Sequence, residues 1–249
     1  MLIIGFNKTT LLDYPGRVAA AVFTGGCNFK CPFCHNGELV LNPFLQEAYS
    51  ETEIMDFLKK RKNILKGVCI TGGEPTLQAD LSEFILKIRN LGYQVKLDTN
   101  GYMPDVLKRL LEEGLLDYVA MDIKNSRDKY AQTVGIYDKQ SSTSAFHIDR
   151  IEESIDILRK ASVPYEFRTT VVKELHREED LVEIGEWIKG CPHYFLQQYQ
   201  DSENTICSLM NKGAGTFFHG YSREEMERIK EILQKLPGMT GEVSLRGVS

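Results

Sequence analysis

The sequence predicts an α/β fold built on a parallel sheet, and three observations predict it. Short β-rich runs alternate with longer amphipathic stretches, six times over, as repeated βα units do. The run Val18–Thr24 is apolar and uncharged, as expected of a strand buried on both faces. Each strand then closes on polar residues that packing does not require, and the C-terminal rim of a βα barrel is where catalytic groups collect. Periodicity leaves three sheets open: a closed barrel, a partial barrel, or an open doubly wound sheet.

The elements follow in order. Met1–Phe6 is apolar but short and reads as an edge strand or hairpin arm. Ser50–Leu65 is a helix, with Ser50 and Glu53 spaced as a capping box and Ile54, Phe57, Leu58 and Leu65 on one face. Gly67–Thr71 is the second buried strand, and Leu81–Leu91 a helix aligned on Leu81, Phe84, Ile85 and Ile88. Tyr93–Asp98 is a strand, and Met103–Glu113 a helix that Gly114 stops. Asp117–Ile123 is the fourth strand. Lys124–His147 is polar, Ser-rich around 141–144, and reads as an excursion with room for one short helix. Asp149–Ala161, Glu178–Lys189 and Ser222–Leu236 are helices, the last with a Ser222/Glu225 capping box. Tyr165–Val171 and Tyr194–Gln198 are the fifth and sixth strands, Cys207–Gly220 reads as irregular, and Glu242–Leu245 as a final strand.

Composition bounds the function. The 249 residues fit one large domain or two small ones, and are enough for a sizeable core. A net charge of −5 argues against a nucleic-acid binder, which would show a basic stripe. No apolar run approaches the ~20 residues a membrane helix needs, so no membrane partner is expected. Six cysteines without a secretory signal point to a reducing cytoplasm.

The chemistry centres on Cys27-Asn-Phe-Lys-Cys31-Pro-Phe-Cys34. Three thiolates in one short loop hold three corners of a cubane iron–sulfur cluster and leave the fourth iron open. An open metal position generally marks catalysis. Structural zinc fits less well. It takes four protein ligands, the nearest spare ligand His35 adjoins Cys34, and Cys69, Cys191 and Cys207 show no CxxC pairing.

Around this loop stand the other strand ends. Gly72-Gly73-Glu74-Pro75 allows close backbone approach and supplies a carboxylate, although a plain turn explains it equally well. Asp98, Asn100, Asp122 and Lys124 are short-range polar groups suited to hydroxyls, an amino group or a carboxylate, or else a turn and a solvated rim pair. Arg168 inside the fifth strand calls for an anion. His176 alone reads as a solvated loop side chain.

The CxxxCxxC spacing after the first strand and GGEP after the second strongly resemble the radical S-adenosylmethionine superfamily. Leu11–Arg17 (LLDYPGR) and Cys34-His35-Asn36 narrow the resemblance to the activases of glycyl radical enzymes, in particular of anaerobic ribonucleoside-triphosphate reductase. It spans roughly residues 3 to 200 and returns near Glu242–Gly247. It implies a partial (βα)6 parallel barrel in one domain over residues 1–249, with a core at about 17–200 and a C-terminal extension at 201–249.

The resemblance also implies one [4Fe–4S] cluster on Cys27, Cys31 and Cys34, with S-adenosyl-L-methionine on the open iron. A flavodoxin or ferredoxin-type donor supplies an electron, a 5′-deoxyadenosyl radical forms, and it takes hydrogen from a backbone glycine of the partner. Gly72, Gly73 and Glu74 lie where the amino group is met. Asp98, Asn100, Asp122 and Lys124 match polar positions around the cofactor, and His176 matches a histidine reaching the adenosyl part. Phe33 and His35 would touch the adenine, with Arg168 also near the cofactor. The chain departs from the pattern in having no inserted ferredoxin-like block, so one cluster is expected. It is also longer than the most compact reductase activases. Two other readings stand beside this one: a radical enzyme acting on a small molecule or peptide, and a non-catalytic iron–sulfur electron carrier. A carrier would need a fourth thiolate.

Overall fold

The computed structural model describes residues 1–136, 146–211 and 217–248. The Ser-rich part of the 124–147 excursion and the middle of the 207–220 stretch lie outside the described residues. The chain packs as two compact units. The first comprises Met1–Asn28, Glu38–Ala120 and Asp156–Pro164, and the second comprises Phe29–Gly37, Met121–Ile155 and Tyr165–Ser249.

The first unit carries β1 (Ile3–Thr10), β2 (Ala19–Thr24), β3 (Gly67–Gly72) and β4 (Gln94–Thr99). β1 runs antiparallel to β2, with Phe6 opposite Val22, as the hairpin-arm reading expects. β2, β3 and β4 are parallel neighbours, with Ala21 beside Cys69 and Cys69 beside Lys96. The β2 burial pattern explains its sequence: Ala19 to Val22 have no exposed surface, so no polar residue fits. Between the strands lie α2 (Glu51–Arg61), α3 (Leu81–Asn90) and α4 (Pro104–Glu112). They bury Ile54 and Leu58, then Leu81, Phe84, Ile85 and Ile88, then Leu107 and Leu110. Each such side chain contributes about 1.5–3 kcal/mol on leaving water.

α2 starts at the expected capping box. Ser50 Oγ accepts from Glu53 N at 3.2 Å, and Glu53 Oε2 accepts from Ser50 N at 2.8 Å. It ends at Arg61, four residues before the expected Leu65. The chain turns there to bring Leu65 into the core, ahead of β3, while Ile64 stays exposed. Past α4, Gly114 takes φ +64, the left-handed stop its position predicts.

The second unit carries β6 (Tyr165–Val171), β7 (His193–Gln198) and β8 (Glu242–Arg246), all parallel to their neighbours. β5 (Tyr118–Asp122) is divided between the units, and Ile123 N after its end bonds Arg168 O at 2.8 Å. Phe167, Thr169 and Val171 of β6 and Tyr194 and Leu196 of β7 are buried. The helices are α5 (Arg127–Thr133), α7 (Glu178–Trp187) and α9 (Arg223–Gln234), while α6 (Ile148–Lys160) is divided between the units after Ile155. α5 is the short helix allowed for in the excursion. α9 begins at the predicted Ser222/Glu225 capping box.

Two elements depart from the sequence reading. α1 (Gly37–Leu41) is an added helical turn in the first cysteine-loop crossover. α8 (Ile206–Met210) replaces the start of the stretch read as irregular. Both are five residues long, too short to show a 3.6-residue periodicity. Among the described residues no helix is long and apolar enough to cross a membrane.

Candidate active site

In the first unit the strand ends are tied together through the Gly-Gly-Glu turn. Gly73 N donates to Thr24 O and Glu74 N donates to Gly26 O, both at 2.8 Å. A Cβ on Gly73 would lie 1.9 Å from Gly26 O, and one on Gly72, whose φ is +115, would lie 2.3 Å from Thr24 N. The two glycines are therefore required by the main chain that leads into Cys27.

Glu74 is fully buried and accepts four hydrogen bonds. Thr76 N donates at 3.1 Å, Thr76 Oγ1 at 2.6 Å, Thr99 Oγ1 at 2.7 Å and Asn100 N at 2.7 Å. Burial raises its carboxyl pKa, against the bonds from Thr76, Asn100 and Thr99. Its carboxylate holds the end of β4 against the turn.

That strand end presents Asn100, whose Nδ2 donates to Asn28 Oδ1 at 2.8 Å and lies 3.8 Å from Cys27 Sγ. Asn28 Nδ2 is buried without a hydrogen-bond partner. Two residues back, Asp98 pairs with Lys96, which is 1 % exposed and lies 3.9 Å from Cys69 Sγ. Cys69 is buried, as its strand position predicts. Lys96 was missing from the candidates. A lysine between Val95 and Leu97, two residues from Asp98 on the same strand face, was the available signal.

In the second unit, Cys31 and Cys34 share a turn in which Cys34 N donates to Cys31 O at 3.0 Å. Burial pushes the Cys31 thiol up to about 12 against the pull of Lys124, and burial also raises Cys34. Phe33 is buried, with its ring centroid 6.5 Å from that of His176 in an edge-to-face arrangement.

Next to this turn stands an ionic trio. Lys124 Nζ meets Asp122 Oδ2 at 2.9 Å, and Arg168 Nε meets Asp122 Oδ1 at 2.8 Å. Burial alone would raise the Asp122 carboxyl, but Arg168 and Lys124 bring it down to about 2. Burial works against the Lys124 ammonium, and Asp122 together with Cys31 and Cys34 holds its pKa above the ordinary value. Two cations thus meet one buried carboxylate.

His176, for which the resemblance implies an adenosyl contact, is tied to main chain through both ring nitrogens. Its imidazole has no exposed surface. Val172 N donates to Nδ1 at 3.1 Å, so Nε2 carries the proton and donates to Lys124 O at 2.8 Å. Both nitrogens serve the main chain, fixing the position of Lys124. Burial lowers its pKa and keeps the ring neutral. His35 is exposed: its ring stacks on Tyr199 at 5.5 Å, and its Nε2 lies 2.6 Å from Gln200 O.

Within each unit, taken by itself, the donor set has the chemistry for an iron–sulfur cluster and an amino-acid cofactor. Buried thiols shifted upward lose their protons in exchange for a metal cation. The orphaned Asn28 amide beside Cys27 offers a donor to an acceptor such as cluster or thiolate sulfur. The paired cations Lys124 and Arg168 are of the type that binds a carboxylate.

Comparison with known proteins agrees. A protein of Methanocaldococcus jannaschii, provisionally named a glycyl-radical enzyme activating enzyme, is 34% identical over 207 residues, covering 81% of each chain. The GTP 3′,8-cyclase of Helicobacter pylori is 28% identical over 217 residues, 86% of this chain and 62% of that protein. Streptococcus suis SuiB, in its crystal structure bound to the precursor peptide SuiA, superposes with TM-score 0.65 at 15% identity. The match covers 91% of this chain and 48% of SuiB, so this chain spans about half of that protein. The likeness shows the fold alone, the α/β fold with parallel strands that the sequence predicts. The model of the Radical SAM superfamily matches residues 21–188, and this chain belongs to that superfamily, whose members work with a [4Fe–4S] cluster and S-adenosylmethionine.

Proposed function

We propose that the chain is a glycyl-radical-enzyme activase, which takes a hydrogen atom from a backbone glycine of a partner such as an anaerobic ribonucleoside-triphosphate reductase. A flavodoxin or ferredoxin-type protein is its electron donor. The observation that carries this reading is the M. jannaschii relative, matched over four fifths of both chains. The chemistry supplied by the bound cofactors is one-electron reductive cleavage of S-adenosylmethionine followed by hydrogen-atom abstraction.

The chain's own residues do the rest. Cys27, Cys31 and Cys34 hold the cluster. Lys124 and Arg168 are the cations that meet the methionine carboxylate. Asp98 and Asn100 are the acceptor and amide groups for the cofactor's amino and hydroxyl groups. Gly72 and Gly73 let their main chain pack against Thr24 and Gly26 ahead of Cys27 and stand near the cofactor's amino group in this reading, and Glu74 keeps β4 in place. Phe33, buried beside His176, meets the adenine in this reading. His35 lies at the outer end of the loop.

A second reading, a radical enzyme acting on a small molecule, draws support from the GTP 3′,8-cyclase match. The test mixes anaerobically reconstituted protein, reductant and S-adenosylmethionine with a candidate reductase from the same source. The expected result is a glycyl radical doublet that collapses when the target glycine is deuterated at Cα. Formation of 5′-deoxyadenosine driven by a small metabolite, with no protein radical on any candidate, refutes the activase and supports the second reading.

A further inference from the structure

We infer that residues 199–211, beyond the part of the chain matched by the family model, form a clasp that holds the cysteine loop 31–37 in its metal-binding shape. The positioning groups are main-chain N–H groups at the start of α8. This rests on the proposed cluster-binding role of Cys31 and Cys34.

The first N–H groups of a helix have no partner within it. In α8 the loop supplies them. Ile206 N donates to Cys34 O at 3.2 Å and Cys207 N donates to Pro32 O at 2.8 Å. The third, Ser208 N, goes to Thr205 Oγ1 at 3.2 Å. The loop therefore completes the helix start, and the helix start fixes two carbonyls of the loop, one of them on a cluster cysteine.

Two further contacts extend the clasp. Gly37 N donates to Asn204 O at 3.1 Å, and a Cβ on Gly37 would lie 2.5 Å from Asn204 O and 2.6 Å from Leu209 Cδ1. The two segments meet main chain to main chain, with no space for a side chain. At the outer end His35 stacks on Tyr199 and its Nε2 meets Gln200 O.

At its front the loop is anchored separately, with Lys30 N donating to Val134 O at 2.8 Å. A loop without regular structure of its own is thus tied at both ends. Cys207 contributes its backbone to this clasp, while its thiol accepts from Asn211 Nδ2 at 3.5 Å. A looser loop lets its thiolates leave iron more readily, so the clasp sets how firmly the cluster is held.

The test compares Ile206→Pro with Ile206→Ala. Thr205 has φ −69 and ψ 150, the region a residue before proline adopts, and proline is tolerated at the first helical position. Both variants lose the buried side chain, but only proline loses the N–H that bonds Cys34 O. Two quantities are measured: amide exchange of Gly37 and Cys207 in iron-free protein, and the rate of iron loss to a chelator after reconstitution with ferrous iron and sulfide.

Ile206→Pro is expected to lose iron about fivefold faster than Ile206→Ala, the equivalent of one hydrogen bond of about 1 kcal/mol. Its Gly37 amide is expected to exchange faster by a similar factor. If the proline variant does not fold, Gly37→Ala carries the same expectation against the parent. Equal iron loss and equal Gly37 exchange in the two Ile206 variants overturn the clasp, as do unprotected Gly37 and Cys207 amides in the parent. A parent that takes up no iron refutes the cluster reading instead, and the iron-free exchange data then decide the clasp alone.

Discussion

Replacing Gly73 with alanine tests how the cysteine loop is joined to the second strand end. The new Cβ would lie 1.9 Å from Gly26 O, whereas real Cβ contacts essentially never fall below 3.0 Å. The two backbones must separate by about 1 Å or more, and the obstacle is main chain rather than a flexible side-chain tip. Separation breaks Gly73 N to Thr24 O and Glu74 N to Gly26 O, both 2.8 Å. Each is worth about 1 kcal/mol net, and overpacking adds about 1–3 kcal/mol. The expected loss is about 3–5 kcal/mol. At about 2–4 °C per kcal/mol for a chain of this size, Tm falls by roughly 10 °C. Gly16→Ala is the control, since a Cβ there meets nothing within 4 Å and pays only for φ +68, about 1–2 kcal/mol. Guanidinium and thermal melts of the iron-free proteins measure both. If Gly73→Ala lies within 1 kcal/mol of the parent, or is milder than Gly16→Ala, the close approach is not what the glycine is for.

Three further outcomes are expected. Alanine at Cys27, Cys31 or Cys34 should abolish iron loading on reconstitution, while alanine at Cys69, Cys191 or Cys207 should leave it; iron analysis and the visible spectrum decide. His176 has a folded pKa below 6.5, so the unfolded chain takes the proton first, and this residue's share of stability is lost as pH falls below 6.5, by up to about 1.4 kcal/mol per unit. Nitrogen NMR should find it neutral and protonated at Nε2 at pH 6, and an imidazolium signal there would contradict the assignment. Arg246 forms bonds of 2.7 and 3.0 Å to Glu166, which has no exposed surface, and lies 3.5 Å over the Phe195 ring. Arg246→Ala should therefore cost about 3 kcal/mol in urea melts by removing both arginine hydrogen bonds from a buried carboxylate, and pairing it with Glu166→Gln should recover part of that.

Much of the fold was legible because its signals are local. Ala19–Val22 read as a buried strand because a fully covered strand admits no charge. Ser50 with Glu53, and Ser222 with Glu225, marked helix starts because a capping box closes within four residues. The three cysteines were legible for the same reason. What remained hidden depends on distant partners. Glu74 could be read as a carboxylate at a strand end, but its partners Thr99 and Asn100 lie 25 and 26 residues on. His176 read as a solvated loop residue because nothing nearby in sequence reveals that Lys124 O, 52 residues earlier, accepts a hydrogen bond from its ring. α8 was missed because the partners of its N–H groups belong to the cysteine loop.

The distance along the chain between His35 and Gln200 also imposes an order of events during synthesis. The residues in contact are 165 apart. At about 5–20 residues per second, the cysteine loop leaves the ribosome some ten to thirty seconds before its closing contacts can exist. For that interval its thiols are in solution on an unfinished protein. Iron offered early would meet a loop free to adopt other ligand geometries, while iron offered after release meets one already shaped. Under the proposed clasp, the loop gains its closing contacts only once residues 199–211 have emerged.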